Sequence, residues 1–262
     1  MKRSSLIEVN NAHWTIAGQT GSGKTVLSTE LITASDRAVM VHDPKGDFEW
    51  PQVRNLPEER RPVVVEHIGE IRSALSGNRR RGVIYRPEAM ESQNPDALGA
   101  FFQFAYDRKN TLVYEDEAYS VTDLKGAALR WYLACLTRGR SRGVFVGSST
   151  QRPVRVPMAT ITEVRHLFVF QLHYVEDRKR LAANAGRAEF LLTPQDAFRE
   201  FLRNKGVSSR EIENLVNQDS MQYGFWYYQV GSQKPTLYKG LEMTPGRAPT
   251  PPARHQLAET YA

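Results

Sequence analysis

A chain of 262 residues has room for one α/β domain with a full core and a modest extension, and 40% hydrophobic with 24% charged residues is the composition of a folded globular protein. The single cysteine, Cys135, excludes an internal disulfide and a cysteine-built zinc site, and its apolar helical surroundings make it a core residue. The net charge of +6 suits an anionic polymer without specifying one; no apolar run is long enough to span a bilayer and "MKRSSLIEVNNAHW" lacks a secretion signal, so the expected compartment is a cytoplasm.

In chain order, "AHWTIAG" (12–18) is a short apolar strand that stops on glycine, and "KTVLSTELITA" after it has helical spacing. "RAVMVHD" (37–43) reads as a buried strand closed by an aspartate, and the proline- and charge-rich segment 50–62 as loop. After a weak strand and the basic "GNRRRG" (77–82), "GVIYRP" (82–87) is a strand and "PDALGAFFQFAYDRK" (95–109) a helix with an apolar face. "TLVYEDEA" (111–118) is a strand that closes on acids, "LKGAALRWYLACLTRG" (124–139) a helix, and "GVFVGSSTQ" (143–151) and "HLFVFQL" (166–172) are strands. Strands alternating with helices predict an α/β fold, a mostly parallel sheet covered on both faces, with ligands bound beyond the carboxyl ends of its strands.

From about residue 176 the texture changes. "VEDRKRLAANAG" and "TPQDAFREFLRNKG" read as short helices, and "YGFWYYQVGSQKPTLYKG" as a hairpin or edge-strand pair. The stretch 244–262 is rich in proline and small polar residues and cannot bury much. The expected organisation is a core over 1–176, an extension over 177–243 packed on or continuing it, and a flexible tail over 244–262.

The segment Gly18-Gln19-Thr20-Gly21-Ser22-Gly23-Lys24-Thr25 fits G-x-x-x-x-G-K-[ST] between a strand and a helix, the setting in which that spacing binds phosphate. Glycines let the backbone curl so that successive N–H groups point at phosphate oxygens, and the following helix adds its positive N-terminal end. Lys24 is placed to reach the β- and γ-phosphates of ATP, and the Thr25 hydroxyl to hold Mg²⁺. A glycine-rich turn that binds nothing would make Gly21, Lys24 and Thr25 three coincidences.

"TLVYEDEA" looks like a Walker B strand. Taking its last acidic pair as D-E gives Asp116 to the metal and Glu117 to the attacking water as general base; a register slip of one gives the metal role to Glu115. A glutamate here favours hydrolysis over kinase chemistry, because a kinase must keep water from its γ-phosphate. The alternative, a solvated acidic loop, leaves the upstream cradle unexplained.

"GVFVGSSTQ" ends on Thr150-Gln151, and a glutamine amide can contact both water and phosphate, which suits a γ-phosphate sensor. Arg138, Arg140 and Arg142 precede that strand at its opposite end, on the far side of the sheet from the phosphates. In a ring, that side can face the neighbour's nucleotide, where an arginine supplied in trans stabilises transition-state charge. Not all three can do so, and each could equally be solvated or DNA-facing.

These pieces together resemble the FtsK-HerA superfamily of DNA-pumping P-loop ATPases over residues 12 to 172. "HDPKGDFE" is similar to the family's D-x-K-G stretch, "VYEDEA" to its Walker B, and "RSRGVFVGSSTQRP" to its R-x-x-G to T-Q-R-P block, the most specific of the three. In that block the family's arginine leads by eleven residues, so the resemblance selects Arg140 as the trans finger, with Gln151 as sensor. It also implies a three-layer, RecA-like P-loop core carrying small C-terminal helices and a hairpin, with ATP and Mg²⁺ as cofactors. Double-stranded DNA is the implied partner and a homo-oligomeric ring, a hexamer, the implied assembly.

Within the superfamily the chain looks most like the genome-packaging ATPases of icosahedral viruses with an internal membrane. That likeness implies pumping of a viral genome into a preformed capsid, capsid-vertex or virion-membrane proteins as further partners, and a place in the host cytoplasm and at the packaging vertex. Nothing before residue 12 or after 176 matches the membrane spans and winged helix of cellular FtsK or the N-terminal barrel of HerA. Two departures stand out: the longer insertion that often follows the second strand is missing, and the C-terminal portion matches no motif, so its role is open.

For contact with the DNA backbone the first candidates are Arg79, Arg80 and Arg81, between glycine-bounded turns, and the second are Arg152 and Arg155 in "RPVRVP". Exposed basic turns are common and are usually just solvated. Rival readings are a DNA-extruding or conjugation ATPase or HerA-like translocase, a small-molecule kinase, and a nucleotide-gated module that does not turn over ATP.

Overall fold

The computed structural model describes residues 9, 11–46, 48, 61–76, 82–217 and 219–240. Strand β1 (Trp14–Ala17) is buried at every position and runs into helix α1 (Lys24–Ala34); β2 (Ala38–His42), also fully buried, follows. The short elements β3 (Val63–Val65), α2 (Glu70–Ala74), β4 (Val83–Tyr85) and α3 (Ala89–Ser92) lead to α4 (Pro95–Arg108). Helix α4 starts where its sequence says it should: the Asn94 side chain accepts from the Asp96 and Ala97 N–H groups, and Pro95 opens the first turn. Then come β5 (Thr111–Glu115), α5 (Ala118–Leu124), α6 (Gly126–Arg138), β6 (Phe145–Thr150), α7 (Ala159–Thr162) and β7 (His166–Val169). The C-terminal part supplies α8 (Val175–Ala185), α9 (Pro194–Asn204), α10 (Ser209–Val216), α11 (Asp219–Gln222), β8 (Phe225–Gln229) and β9 (Thr236–Tyr238).

The described strands form one sheet in the order β3-β4-β2-β5-β6-β1-β7-β8-β9. Every pair from β3 to β7 is parallel, and the last hairpin adds β8 antiparallel to β7 and β9 antiparallel to β8. Register brings the strand ends into one row: Ala17 pairs with Thr150 and Val169, and His42 with Tyr85 and Glu115. The loops after β1, β2, β5 and β6 therefore leave the same edge of the sheet, the carboxyl edge where parallel sheets bind ligands.

Alternation along the strands splits the core into two faces. Ile16, Val39, Val41 and Phe168 pack with Leu27, Leu31 and Ile32 of α1 on one face. On the other, Val113 and Val146 pack with Phe101, Phe102 and Tyr132 of α4 and α6, while Leu167 and Val169 pack with Leu181, Phe198 and Ile212 of the later helices. Helix, sheet and helix make three layers, as the resemblance implies. Cys135 is buried among the α6 contacts, as its sequence setting indicates. Gly147 has a specific task in this packing: a Cβ there would stand 2.2 Å from the Trp14 ring of the adjacent strand.

Some boundaries differ from the sequence reading. The acidic strand end runs straight into α5, and the helix read over 124–139 starts only at Gly126, because Lys125 and Gly126 take φ of 55° and 53° and break the two apart. Helix α10, capped by Ser208 accepting from the Glu211 N–H, is an addition to the elements expected from the sequence. The tail over 244–262 and Arg79, Arg80 and Arg81 lie outside the described residues. No helix among the described residues is long and apolar enough to cross a membrane.

Candidate active site

The Gly18–Thr25 loop is strung between neighbouring strands. The Gly18 N–H donates to the Thr150 carbonyl at 3.0 Å and the Gln19 N–H to the Gln171 carbonyl at 2.9 Å, fixing the loop to the ends of β6 and β7. Gly21 and Gly23 have φ of 74° and 101°, so the curl that points backbone N–H groups inward needs glycine at both. Lys24 is almost fully buried at the start of α1, its ammonium donating to the Gln19 carbonyl at 2.9 Å. Burial pulls the Lys24 ammonium down to about 8, with Lys45 adding to the fall and Glu117 and Asp116 opposing it. Ser22 Oγ and Gln19 Oε1 are buried without a hydrogen-bond partner among the described residues, a cost that a folded protein accepts where a ligand supplies the missing bonds. Thr25 is exposed one residue further on.

The three acids at the end of β5 have separate surroundings. Glu115 is fully buried and faces its cross-strand partner: the His42 Nδ1–H donates to Glu115 Oε2 at 2.8 Å, and the Glu117 N–H and Ser120 hydroxyl donate to Oε1 at 3.3 Å and 3.4 Å. A carboxylate so occupied has little left for a metal, which disfavours the slipped register. Asp116 is partly exposed at the strand end. Its Oδ1 accepts from the Tyr114 phenol at 3.0 Å, burial holding that phenol protonated far above the ordinary range, while Ser149 Oγ donates to its carbonyl. These contacts orient the carboxylate and leave Oδ2 without a partner among the described residues.

Glu117 is 2% exposed and gripped on both oxygens. Lys45 Nζ donates to Oε2 at 3.2 Å and the Gln151 N–H donates to Oε1 at 3.2 Å. Burial raises the Glu117 carboxyl above the usual range against the pull of Lys45, the Gln151 N–H and Lys24. Lys45 itself, more exposed than its partner, is lowered by burial but lifted further by Glu117 and Asp116, and it ends above its ordinary value. The Gln151 side chain reaches the other way, its Oε1 accepting from the Thr20 hydroxyl at 2.7 Å. The Gly18–Thr25 loop, the end of β6 and Glu117 are thus one connected set.

No protein-family model matches the chain. Protein P9 of Pseudoalteromonas phage PM2 is 23% identical over 217 residues, spanning 82% of this chain and 85% of that protein. Among solved structures, the genome packaging NTPase B204 of Sulfolobus turreted icosahedral virus 2 in complex with AMPPCP superposes with a TM-score of 0.56 at 15% identity, covering 90% of this chain and 100% of its own. The pCW3 conjugation coupling protein TcpA with ATPgS gives a TM-score of 0.52 at 13% identity, over 89% of this chain and 62% of its own. The chain shares the fold of these two proteins.

Within that fold the remaining residues singled out from sequence fall into two groups. Arg138 and Arg140 are exposed at the end of α6 and in the 3-10 turn Gly139–Arg142, beyond the amino end of β6, and neither has an ion-pair partner among the described residues. Arg142 is committed within the subunit: it donates to the Tyr106 carbonyl at 2.9 Å, stacks on the Tyr106 ring at 4.5 Å and approaches Asp107 at 3.5 Å. Arg152 is likewise tied down, by a 3.0 Å bond to buried Asp177 and by the Tyr174 ring at 4.4 Å, so its charge is largely spent inside the fold. Arg155 is exposed. Lys45 is the residue that the motif reading leaves without a task; its signal is the lysine of the D-x-K-G stretch, but nothing in one sequence says that this lysine turns towards β5.

Proposed function

We propose that the chain is an ATP-hydrolysing motor that translocates double-stranded DNA during viral genome packaging, working as a homo-oligomeric ring, a hexamer. The observation that carries this reading is the grip on Glu117: a buried carboxylate at the end of β5, bonded to the strand end that also touches the phosphate loop. A kinase has no use for a general base aimed at water beside the γ-phosphate, and a non-hydrolysing module has none either. The likeness to the packaging NTPase B204 supports packaging, and the likeness to a phage protein, P9, supports a viral setting; the likeness to TcpA supports the second reading, a conjugation-type DNA motor.

The backbone N–H groups of residues 21–25 and the Lys24 ammonium bind the phosphates of ATP. The Thr25 hydroxyl and the free oxygen of Asp116 are hard oxygen donors that fit Mg²⁺, which when bound draws charge from the β- and γ-phosphate oxygens. Glu117 takes a proton from the water that attacks the γ-phosphorus, and its raised affinity for protons suits that task. Gln151 holds the water and the γ-phosphate together through its amide. Arg140, on the opposite edge of the sheet, serves the neighbouring subunit's γ-phosphate in trans. Arg155 and the basic 79–81 stretch face DNA, and capsid-vertex or virion-membrane proteins anchor the ring at the packaging vertex.

The test is Glu117→Gln, which keeps the size and one hydrogen-bonding oxygen. It should bind ATP as the wild type does and fail to hydrolyse it, with or without DNA. Turnover at the wild-type rate would overturn the mechanism.

A further inference from the structure

The turn between α11 and β8 sets an aromatic ring beside the phosphate loop. At Gly23, where α1 begins, an added Cβ would lie 3.4 Å from Phe170 Cε1, 3.6 Å from Tyr223 Cδ1 and 3.7 Å from Tyr223 Cβ. Phe170 is buried against the Phe225 ring, with centroids 5.0 Å apart, whereas Tyr223 is 37% exposed. Its ring stacks on no other ring and its hydroxyl makes no hydrogen bond among the described residues.

The turn that carries Tyr223 is firmly built. The Gln195 amide nitrogen, on α9, donates to the carbonyls of Met221 at 3.3 Å and Gln222 at 3.1 Å, and the Gly224 N–H donates to the Met221 carbonyl at 3.0 Å. Met221 is itself buried, and a Cβ at Gly224 would lie 3.2 Å from the Met221 carbonyl and 3.3 Å from the Tyr238 carbonyl, so the turn is closely packed there. An exposed aromatic held this way is pre-positioned for a flat partner.

Direction decides which part of a nucleotide that partner is. Glu117 and Gln151 lie towards β5 and β6, so the γ-phosphate end of a nucleotide in the cradle points there. The base then extends to the other side of the start of α1, the β7 and β8 flank, where Tyr223 stands. We propose that Tyr223 is the platform on which the purine base of the nucleotide stacks, so that the C-terminal segment completes the nucleotide site. The proposal rests on the reading of Gly18 to Thr25 as the phosphate cradle. It also gives a task to the part of the chain that matches no motif.

The experiment is calorimetric titration with ATP and, separately, with magnesium tripolyphosphate, which has phosphates and no base. Wild type, Tyr223→Phe, Tyr223→Leu, Tyr223→Ala and Lys24→Ala are compared. Tyr223→Ala and Tyr223→Leu should weaken ATP about 10-fold, within the range that stacking one base on an aromatic ring commands. Both should leave tripolyphosphate binding unchanged, and Tyr223→Phe should behave as the wild type. Unchanged ATP affinity in Tyr223→Ala overturns the proposal, and so does an equal loss for ATP and tripolyphosphate, which would mean that the ring only props the loop. Tyr223→Leu preserves apolar bulk against Gly23, so a loss in that variant cannot come from a collapsed turn. The Lys24→Ala arm separates the two readings: if it abolishes both ligands while the Tyr223 variants change neither, stacking alone is wrong, and if it changes neither, the cradle itself is wrong.

Discussion

The Thr20 hydroxyl donates to Gln151 Oε1 over 2.7 Å, which ties the tip of the phosphate loop to the residue that closes β6. Because the Gln151 N–H also donates to Glu117 Oε1, the loop is linked to the proposed base through one residue. A γ-phosphate oxygen that accepted from the Thr20 hydroxyl in place of Gln151 would free Gln151 Oε1 to accept from the attacking water. Gln151→Ala keeps the backbone bond to Glu117 and loses only the amide, so it should cost about 10²-fold in kcat, as removal of one transition-state donor does, with little change in KM. Thr20→Val breaks the tie without removing the amide and should act mainly on KM. Steady-state ATPase assays separate the two, and wild-type kcat in Gln151→Ala would remove Gln151 from the chemistry.

Among the described residues Lys45 is the cation paired with the Glu117 carboxylate, at 3.2 Å, and it comes from the loop after β2. Burial works against an ionised Glu117, and Lys45 is the largest influence working for it. Lys45→Ala should therefore lower kcat by at least 10-fold, the general-base contribution being on the order of 10² to 10⁴. ATP affinity should change little, since Lys24 is the lysine proposed to hold the phosphates. Lys45→Arg keeps the charge within reach and should restore much of the rate. Equal kcat in Lys45→Ala and wild type would mean that Glu117 is oriented by Gln151 alone.

Much of this was legible because the motifs sit where strand ends must sit. A run such as "TLVYE" can only be a buried strand in a chain this polar, and the acids after it can only lie at a carboxyl edge. The fixed spacing of the loop from Gly18 to Thr25 likewise leaves one backbone shape. What could not be read depends on register and on long-range contacts. That Glu115 rather than Asp116 meets His42 follows from which residues of β2 and β5 stand opposite each other, and one sequence does not give that pairing. Arg152 looked as free as Arg155 because Asp177, its partner, is 25 residues away. Tyr223 was invisible for the same reason: its loop neighbour Gly23 is two hundred positions earlier, and only the antiparallel seat of β8 on β7 brings them together.

Arg140 stands before β6 and Gln151 just after it, and a six-residue strand separates their ends by roughly 20 Å at about 3.3 Å per residue. No side chain spans that distance, so Arg140 cannot act on its own subunit's phosphates. Arg140→Ala should lose about 10³-fold in kcat, the lower part of the range for a trans arginine finger. Mixing it with Lys24→Ala subunits should restore ATPase activity, since one parent supplies the finger and the other the nucleotide site. Arg142→Ala is the control: its guanidinium is held by Tyr106 and Asp107, and its loss should act on stability, read by thermal melting, before it acts on rate. Absence of recovery at every mixing ratio would count against the trans role, and recovery with Arg138→Ala instead would move the finger to the other exposed arginine.

The amino edge of the sheet carries a pH liability that is independent of nucleotide. His13 is 2% exposed and its Nδ1 accepts from the Val146 N–H at 2.8 Å, so the buried ring is neutral; burial first and Arg140 second lower it to about 4. His166, buried on β7, is lowered to about 4 by burial and then by Arg165. In the unfolded chain both rings protonate near 6.5, so between pH 6.5 and 4 the unfolded state binds more protons. Stability is full above about 6.5 and falls as pH drops through that window, by about 1.4 kcal/mol per unit for each ring. His13→Asn keeps an acceptor for the Val146 N–H and cannot titrate, so although less stable overall it should lose about half of this slope. Urea midpoints at pH 7 and pH 5 for both proteins measure it. An unchanged slope in the variant would mean that His13 is already protonated in the folded state, and the bond from Val146 could then not exist as drawn.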